Sequence, residues 1–209
     1  MKTSSIGIKS ILMVVLGLTI LVPVNVFAQS SPYFAFKPGM YSPRSSNLNG
    51  FDNGFSLDSV FGLRFTPNIA AELGFGLFYT KGEKTVVRGT SVSQIHYDIS
   101  VFPFTLTLQG ILPYKKWEFF GLAGGGIYMV SQPYDVNGHY QNPFLPDYYY
   151  NCSYIFGGYL GGGMHYNITP KFFWGVEGKY LWTDQASFSG IDGFELDGVI
   201  SNAVIGYRF

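Results

Sequence analysis

Only one cysteine, Cys152, stands among 209 residues, which excludes an internal disulfide and, with no partners at metal-ligand spacing, a cysteine-based zinc site. Charge is scarce too: charged residues make up 12% of the chain and the formal net charge is zero. No Lys/Arg cluster occurs, so the electrostatic footprint of nucleic-acid binding is missing. Beyond residue 22 every apolar run is broken within a few residues by Gly, Pro or a charge, and no period of 3.6 is sustained. Any membrane crossing by the later chain would therefore be made by strands.

What is present begins at the N-terminus. Lys2 and Lys9 form a short basic head, Ile11 to Val22 an apolar run, and Val26-Phe27-Ala28 precede Gln29. This order predicts a secretory signal peptide over residues 1–28, cut after Ala28, and Sec-type export. Residues 29–209 are then one domain of 209 − 28 = 181 residues. That part is rich in aromatics and glycine (19% aromatic and 27 Gly in the whole chain), a balance that suits a lipid-facing surface with aromatic girdles.

Residues 29–209 divide into eight segments of alternating polarity. Phe55, Leu57, Phe61, Leu63 and Phe65 share one parity, and Ser56, Asp58, Gly62 and Arg64 the other. Past Thr66-Pro67-Asn68 the pattern resumes, with Ala71, Leu73, Phe75, Leu77 and Tyr79 against Ala70, Glu72, Gly74 and Gly76. A period of two sends alternate side chains to opposite faces, so this pair reads as a hairpin. Phe172–Trp182 and Val199–Phe209 read the same way. Tyr33–Tyr41, Ile95–Leu108, Trp117–Val130 and Tyr154–Tyr166 are less regular, and Pro103 predicts a bulge or phase slip because proline removes a ladder donor.

Connections alternate in length. Short turns are expected at Thr66–Asn68, Pro113–Lys116 and Asn167–Lys171; longer polar loops at Ser42–Gly54, Thr80–Gln94, Ser131–Ser153 and Asp184–Gly198. The expected fold is all-β: a closed, antiparallel, up-and-down transmembrane β-barrel of about eight strands. A lipid-facing Lys or Arg at the bilayer midplane costs about 2–4 kcal/mol, so Lys37, Arg64, Lys179 and Arg208 should point inward. Asp58, Glu72, His96, Asp98 and Glu177 share that parity. Glu72 falls diagonal to Arg64 and predicts an Arg64–Glu72 ion pair; Glu177 and Lys179, two apart on one face, supply another. Such a network would fill the lumen and pin strand register, or else line an ion path.

The chain ends Ile205-Gly206-Tyr207-Arg208-Phe209, and Ile205, Tyr207 and Phe209 resemble the C-terminal signal of bacterial outer-membrane barrels. The resemblance implies recognition of this strand by the barrel-assembly machinery, with Phe209 as the true terminus. The whole of residues 29–209 also looks like the eight-stranded outer-membrane barrels of the A and X type, Phe120–Tyr128 matching their glycine-rich fifth strand. It implies a fold and an outer-membrane location, but no single activity.

A Ser–His pair at the outer rim would suggest a lipid-modifying enzyme, and Ser93 with His96 is the one candidate; His139 and His165 have no orienting partner. No catalytic, cofactor or metal site is assigned. The glycines at 124–126 and 157–163 do not open a helix after a strand, so they are not phosphate cradles. Asn151-Cys152-Ser153 and Asn167-Ile168-Thr169 match the glycosylation pattern only by chance in a bacterial envelope. The segment 131–153 carries Tyr134, Tyr140, Phe144 and Tyr148–Tyr150 among three prolines, and is either part of the aromatic girdle or a contact surface for an external ligand. The function expected is a non-enzymatic outer-membrane barrel surrounded by lipid. A narrow channel, a lipid-modifying enzyme and a soluble ligand-binding barrel are the alternatives.

Overall fold

A computed structural model describes residues 31–45, 51–88, 91–134, 149–188 and 191–209, with side chains described outside 83–98, 132–151 and 186–194. The signal peptide expected at 1–28 lies outside the described residues. The strands are β1 (Ser31–Pro43), β2 (Gly54–Thr66), β3 (Ile69–Arg88), β4 (Ser91–Tyr114), β5 (Trp117–Tyr134), β6 (Tyr149–Asn167), β7 (Phe172–Thr183), β8 (Ala186–Phe188), β9 (Ile191–Phe194) and β10 (Gly198–Arg208). Eight of them close a barrel in the order β1-β10-β7-β6-β5-β4-β3-β2; β8 and β9 form a separate hairpin between β7 and β10. Every neighbour in the barrel is antiparallel, and closure is made by β1 on β10, from Tyr33 opposite Arg208 to Pro43 opposite Gly198.

Strand parity decides which side chains enter the barrel. On β7, Phe172, Trp174, Val176, Tyr180 and Trp182 are exposed on the outside while Phe173, Glu177 and Leu181 are buried. The same alternation puts Phe34, Phe36 and Met40 outside on β1, and Leu73 and Phe75 outside on β3. Buried charges and exposed large apolar side chains are therefore on opposite faces of one sheet, as the hairpin reading at Pro67 expects.

Two expectations are corrected. Pro103 produces no phase slip: β4 pairs with β5 in unbroken register through Pro103 opposite Tyr128. The ladder to β3 skips Phe102 and Pro103 and resumes in the same register at Phe104 opposite Phe75. Proline removes its donor on one side only, and the partner strand on the other side holds the alignment. Pro38 behaves likewise in β1. A register shift occurs instead between Arg64 and Thr66, beside the turn.

The second correction concerns the long loops. Residues 80–88 and 91–94 are strand where a loop is expected, because β3 and β4 stay paired out to Arg88 opposite Ser91. Thr85, Val86, Val87, Val92 and Ile95 favour extended backbone, and polar neighbours suit a strand that leaves the bilayer zone. β5 and β6 likewise pair out to Tyr134 opposite Tyr149. With 18 to 24 residues, β3 to β6 exceed the roughly 9–11 residues a tilted spanning strand needs, whereas β1, β2, β7 and β10 have 11 to 13. The barrel has a low rim at its short turns and a wall of uneven height at its loop end.

A charged lumen as the candidate functional site

Two ion networks occupy the lumen at different heights. In the middle, Lys37 on β1 donates from Nζ to Glu72 on β3 (2.9 Å) and Glu177 on β7 (2.7 Å). Glu72 also accepts the Tyr33 hydroxyl at 2.9 Å. Lys179 reaches Asp58 at 2.7 Å and lies 3.8 Å from Glu177, with its ammonium 5.1 Å from the centre of the Tyr159 ring. Tyr159 in turn shares a 2.6 Å hydrogen bond with Thr107. Lys37 and Glu72 are 2% and 1% exposed, so each relies on protein partners in place of water.

Near the short turns, one carboxylate bridges two guanidinium groups. Glu118 accepts from Arg64 at 2.8 Å through one oxygen and from Arg208 at 2.7 Å through the other. Arg208 also donates to Asn167 Oδ1 at 2.6 Å and lies 4.6 Å from the centre of the Phe173 ring. Arg64 donates to the backbone oxygens of Thr66 and Pro67, which turns its side chain toward the rim.

These contacts place each expected residue. Lys37, Asp58, Arg64, Glu72, Glu177, Lys179 and Arg208 all lie on the inner face. The Glu177–Lys179 contact exists, though each has a shorter partner elsewhere. The Arg64–Glu72 pair does not form. Glu72 is opposite Gly62 as the hairpin count requires, yet it faces the middle network while Arg64 is drawn to the turn and Glu118. Sequence reading missed Glu118 altogether. Glu118 stands between the outward Trp117 and Phe119 at the start of β5, and that parity is the signal for an inward carboxylate.

Aromatic rings also line the lumen. Tyr33 lies over Gly62 and Phe173 over Gly206, where a side chain would collide with the ring. Glycine on the neighbouring strand thus makes room for each ring. Phe173 and Phe120 flank His165 at centroid distances of 4.8 and 4.5 Å. His165 is a buried lumen residue, and its Nε2, like Gln109 Nε2, has no hydrogen-bond partner among the described residues. Both line a cavity of about 10 Å³, room for about one water.

Toward the loop end the lumen turns apolar: Tyr41, Phe78, Val101, Tyr128, Val130 and Leu181 pack in one cluster. The connection before β10 covers it. Leu196 is fully buried, its carbonyl accepts the Tyr41 hydroxyl at 2.9 Å, and its N–H donates to Thr183 Oγ1 at 2.8 Å. On the opposite side the Thr80 hydroxyl donates to the Asp52 carbonyl at 2.7 Å, and Phe51 lies over Gly82.

Other candidate residues fall elsewhere. The side chains of Ser93, His96 and Asp98 and the whole of His139 lie outside the described residues, as do residues 135–148. Cys152 is exposed and free. No group of His, Cys, Asp and Glu able to hold a metal ion occurs among the described residues.

A closed eight-stranded antiparallel barrel, apolar outside and charged within, has the fold of the outer-membrane β-barrels. Neisserial surface protein A superposes with a TM-score of 0.57 at 14% identity, over 86% of this chain and 97% of that one. Outer-membrane protein OprG from Pseudomonas aeruginosa gives a TM-score of 0.54 at 16% identity over the same shares, 86% and 97%. A major outer-membrane protein from Thermus thermophilus gives 0.51 at 10% identity, over 85% of this chain and 99% of that one. No family model and no curated protein matches the sequence.

Proposed function

We propose that the protein is an integral outer-membrane barrel, exported with loss of residues 1–28, whose lumen is closed by its own side chains. Its role lies in the barrel wall and in contacts made at the loop end, with segment 131–153 as the surface for an external ligand. The observation that carries this reading is the sorting of the two faces. Phe75, Leu106, Trp174 and Ile205 are among the large apolar side chains turned outward, while the buried charges are turned inward and paired. In water that arrangement would expose an apolar belt around the molecule; in hydrocarbon it is the stable one.

Closure of the lumen is supported by the balance within it. Lys37, Arg64, Lys179 and Arg208 meet Asp58, Glu72, Glu118 and Glu177, and an apolar cluster packs beneath Leu196 toward the loop end. The reading assigns no catalytic step, since the lumen carboxylates are each engaged in an ion pair that joins strands. Ile205 and Phe209 are exposed and Tyr207 packs edge-on against Phe209 at 5.4 Å, an outward row that suits a strand presented to the barrel-assembly machinery.

The test is expression of the full chain in a Gram-negative host, followed by envelope fractionation and gel analysis with and without boiling. An outer-membrane band whose mobility shifts on heating is expected; a soluble periplasmic protein with no shift would overturn the membrane reading. The folded protein should then show no steady conductance in planar bilayers. Discrete channels altered by Glu72→Gln would replace the closed lumen with a narrow pore.

A further inference from the structure

The two rims carry opposite charge. The turns 67–68, 115–116 and 168–171 contain Lys115, Lys116 and Lys171 and no Asp or Glu, whereas among the described residues Asp52, Asp184, Glu195 and Asp197 lie in the connections at the loop end. The lysines also sit together on one arc of the rim. The Lys116 carbonyl accepts from Asn167 N at 2.8 Å, and the Lys171 carbonyl from Arg208 N at 2.7 Å, so the arc runs continuously from β4 to β10. All three side chains are exposed.

An aromatic belt lies directly under this arc. Tyr114 is opposite Trp117, Trp117 is opposite Tyr166, and Phe172 is opposite Tyr207. Lys115 holds its ammonium 5.5 Å from the centre of the Tyr114 ring and Lys171 holds its own 5.7 Å from that of Tyr207. Such pairing keeps a cation at headgroup depth, with its stem along apolar surface. A second observation is conformational. Lys115 has φ of 57°, a left-handed backbone that Gly, Asn or Asp adopts more readily in a two-residue turn. A lysine there works against the turn, which calls for a purpose outside it.

We propose that Lys115, Lys116 and Lys171 form a binding arc for the phosphate headgroups of anionic phospholipids in the leaflet that meets the short turns. The proposal rests on the membrane reading above. Each ammonium makes a charge-assisted hydrogen bond to a phosphate oxygen, and the belt beneath packs on the glycerol and upper acyl chain. No turn carboxylate competes for the lysines, so the headgroup phosphate is their natural counter-charge. The loop end, with its excess of acid, repels the same lipids.

The protein, folded in a non-ionic detergent, is titrated with phosphatidylglycerol or with phosphatidylcholine, and bound lipid is counted by native mass spectrometry. Phosphatidylglycerol should be retained in preference, and the combined variant Lys115→Gly, Lys116→Gln and Lys171→Gln should weaken that retention by about ten-fold or more. Lys115→Gly relieves the turn, so loss of folding does not confuse the result. Lys81→Gln at the opposite rim should change nothing. Equal retention of the two lipids, a preference that survives the combined variant, loss caused by Lys81→Gln, or displacement by inorganic phosphate as readily as from a free-anion site would each overturn the proposal. The heat shift on a gel, read from the same sample, separates the two claims. A heat-modifiable barrel without lipid preference sinks the arc alone, and a chain soluble without detergent sinks the membrane reading.

Discussion

The ammonium of Lys37 lies 2.7 Å from a carboxylate oxygen of Glu177, joining residues 140 positions apart across the line where β1 meets β10. The same ammonium holds Glu72 at 2.9 Å, so one cation neutralises two buried carboxylates. Replacing it with Met would leave Glu72 without a cation and Glu177 with only Lys179 at 3.8 Å, at a cost of about 3–5 kcal/mol. The expected outcome for Lys37→Met is a clear fall in the urea midpoint of the detergent-folded protein. Adding Glu72→Gln and Glu177→Gln should restore much of the loss, because the uncompensated charge is then gone.

Arg64 offers a test of partner choice. A double-mutant cycle between Arg64→Ala and Glu118→Ala should give a coupling of about 1–3 kcal/mol, since the pair is at 2.8 Å and mostly buried. The cycle between Arg64→Ala and Glu72→Ala should be additive within about 0.5 kcal/mol. Strong coupling in the second cycle would restore the pairing expected from the hairpin count.

Gly62 supports the Tyr33 ring, with no space for a side chain between them. Gly62→Leu should displace the ring from Glu72 and destabilise the barrel by about 1–3 kcal/mol. Gly121→Leu serves as the control, because nothing lies within 4 Å of a Cβ at that site. A lower temperature for the gel mobility shift in the first variant and an unchanged one in the second is the expected result.

Leu106 is 49% exposed on the outer face of β4, and its neighbour in sequence, Thr107, is buried in the lumen. Leu106→Arg should cost about 2–4 kcal/mol of stability for the protein folded in lipid vesicles. An arginine tolerated there without loss would mean that this face meets water.

How much of this is legible in the sequence follows from which physical constraint each feature obeys. Parity along Phe55–Phe65 and Phe172–Trp182 is readable because a period of two is local, and Asp58, Arg64, Glu177 and Lys179 lie on the inner face of these strands. Pairing is not, since Arg64 has Glu72 within diagonal reach but is turned to Glu118 by a strand 54 positions away and by carbonyls at its own turn. The extent of β3 and β4 is hidden because Lys81, Glu83 and Lys84 look like loop residues, whereas a strand beyond the bilayer has no need of apolar alternation. Pro103 misleads because its effect depends on which neighbouring strand its nitrogen faces. Glycine-rich β6 only acquires a direction once Phe120 is seen over Gly163.

The seam between β1 and β10 is crossed by two ion pairs, Lys37 with Glu177 and Lys179 with Asp58. In an unclosed sheet β1 and β10 are the two edges, so β1 and β2 are far from β7 and neither pair can form; Lys37 then has only Glu72, and Glu177 and Lys179 only each other. An assembling chain would lack the two shortest contacts of its middle network, both 2.7 Å, until the edges join. The network thus acts as a latch on the last joint: sealing the seam and completing the middle network are one event.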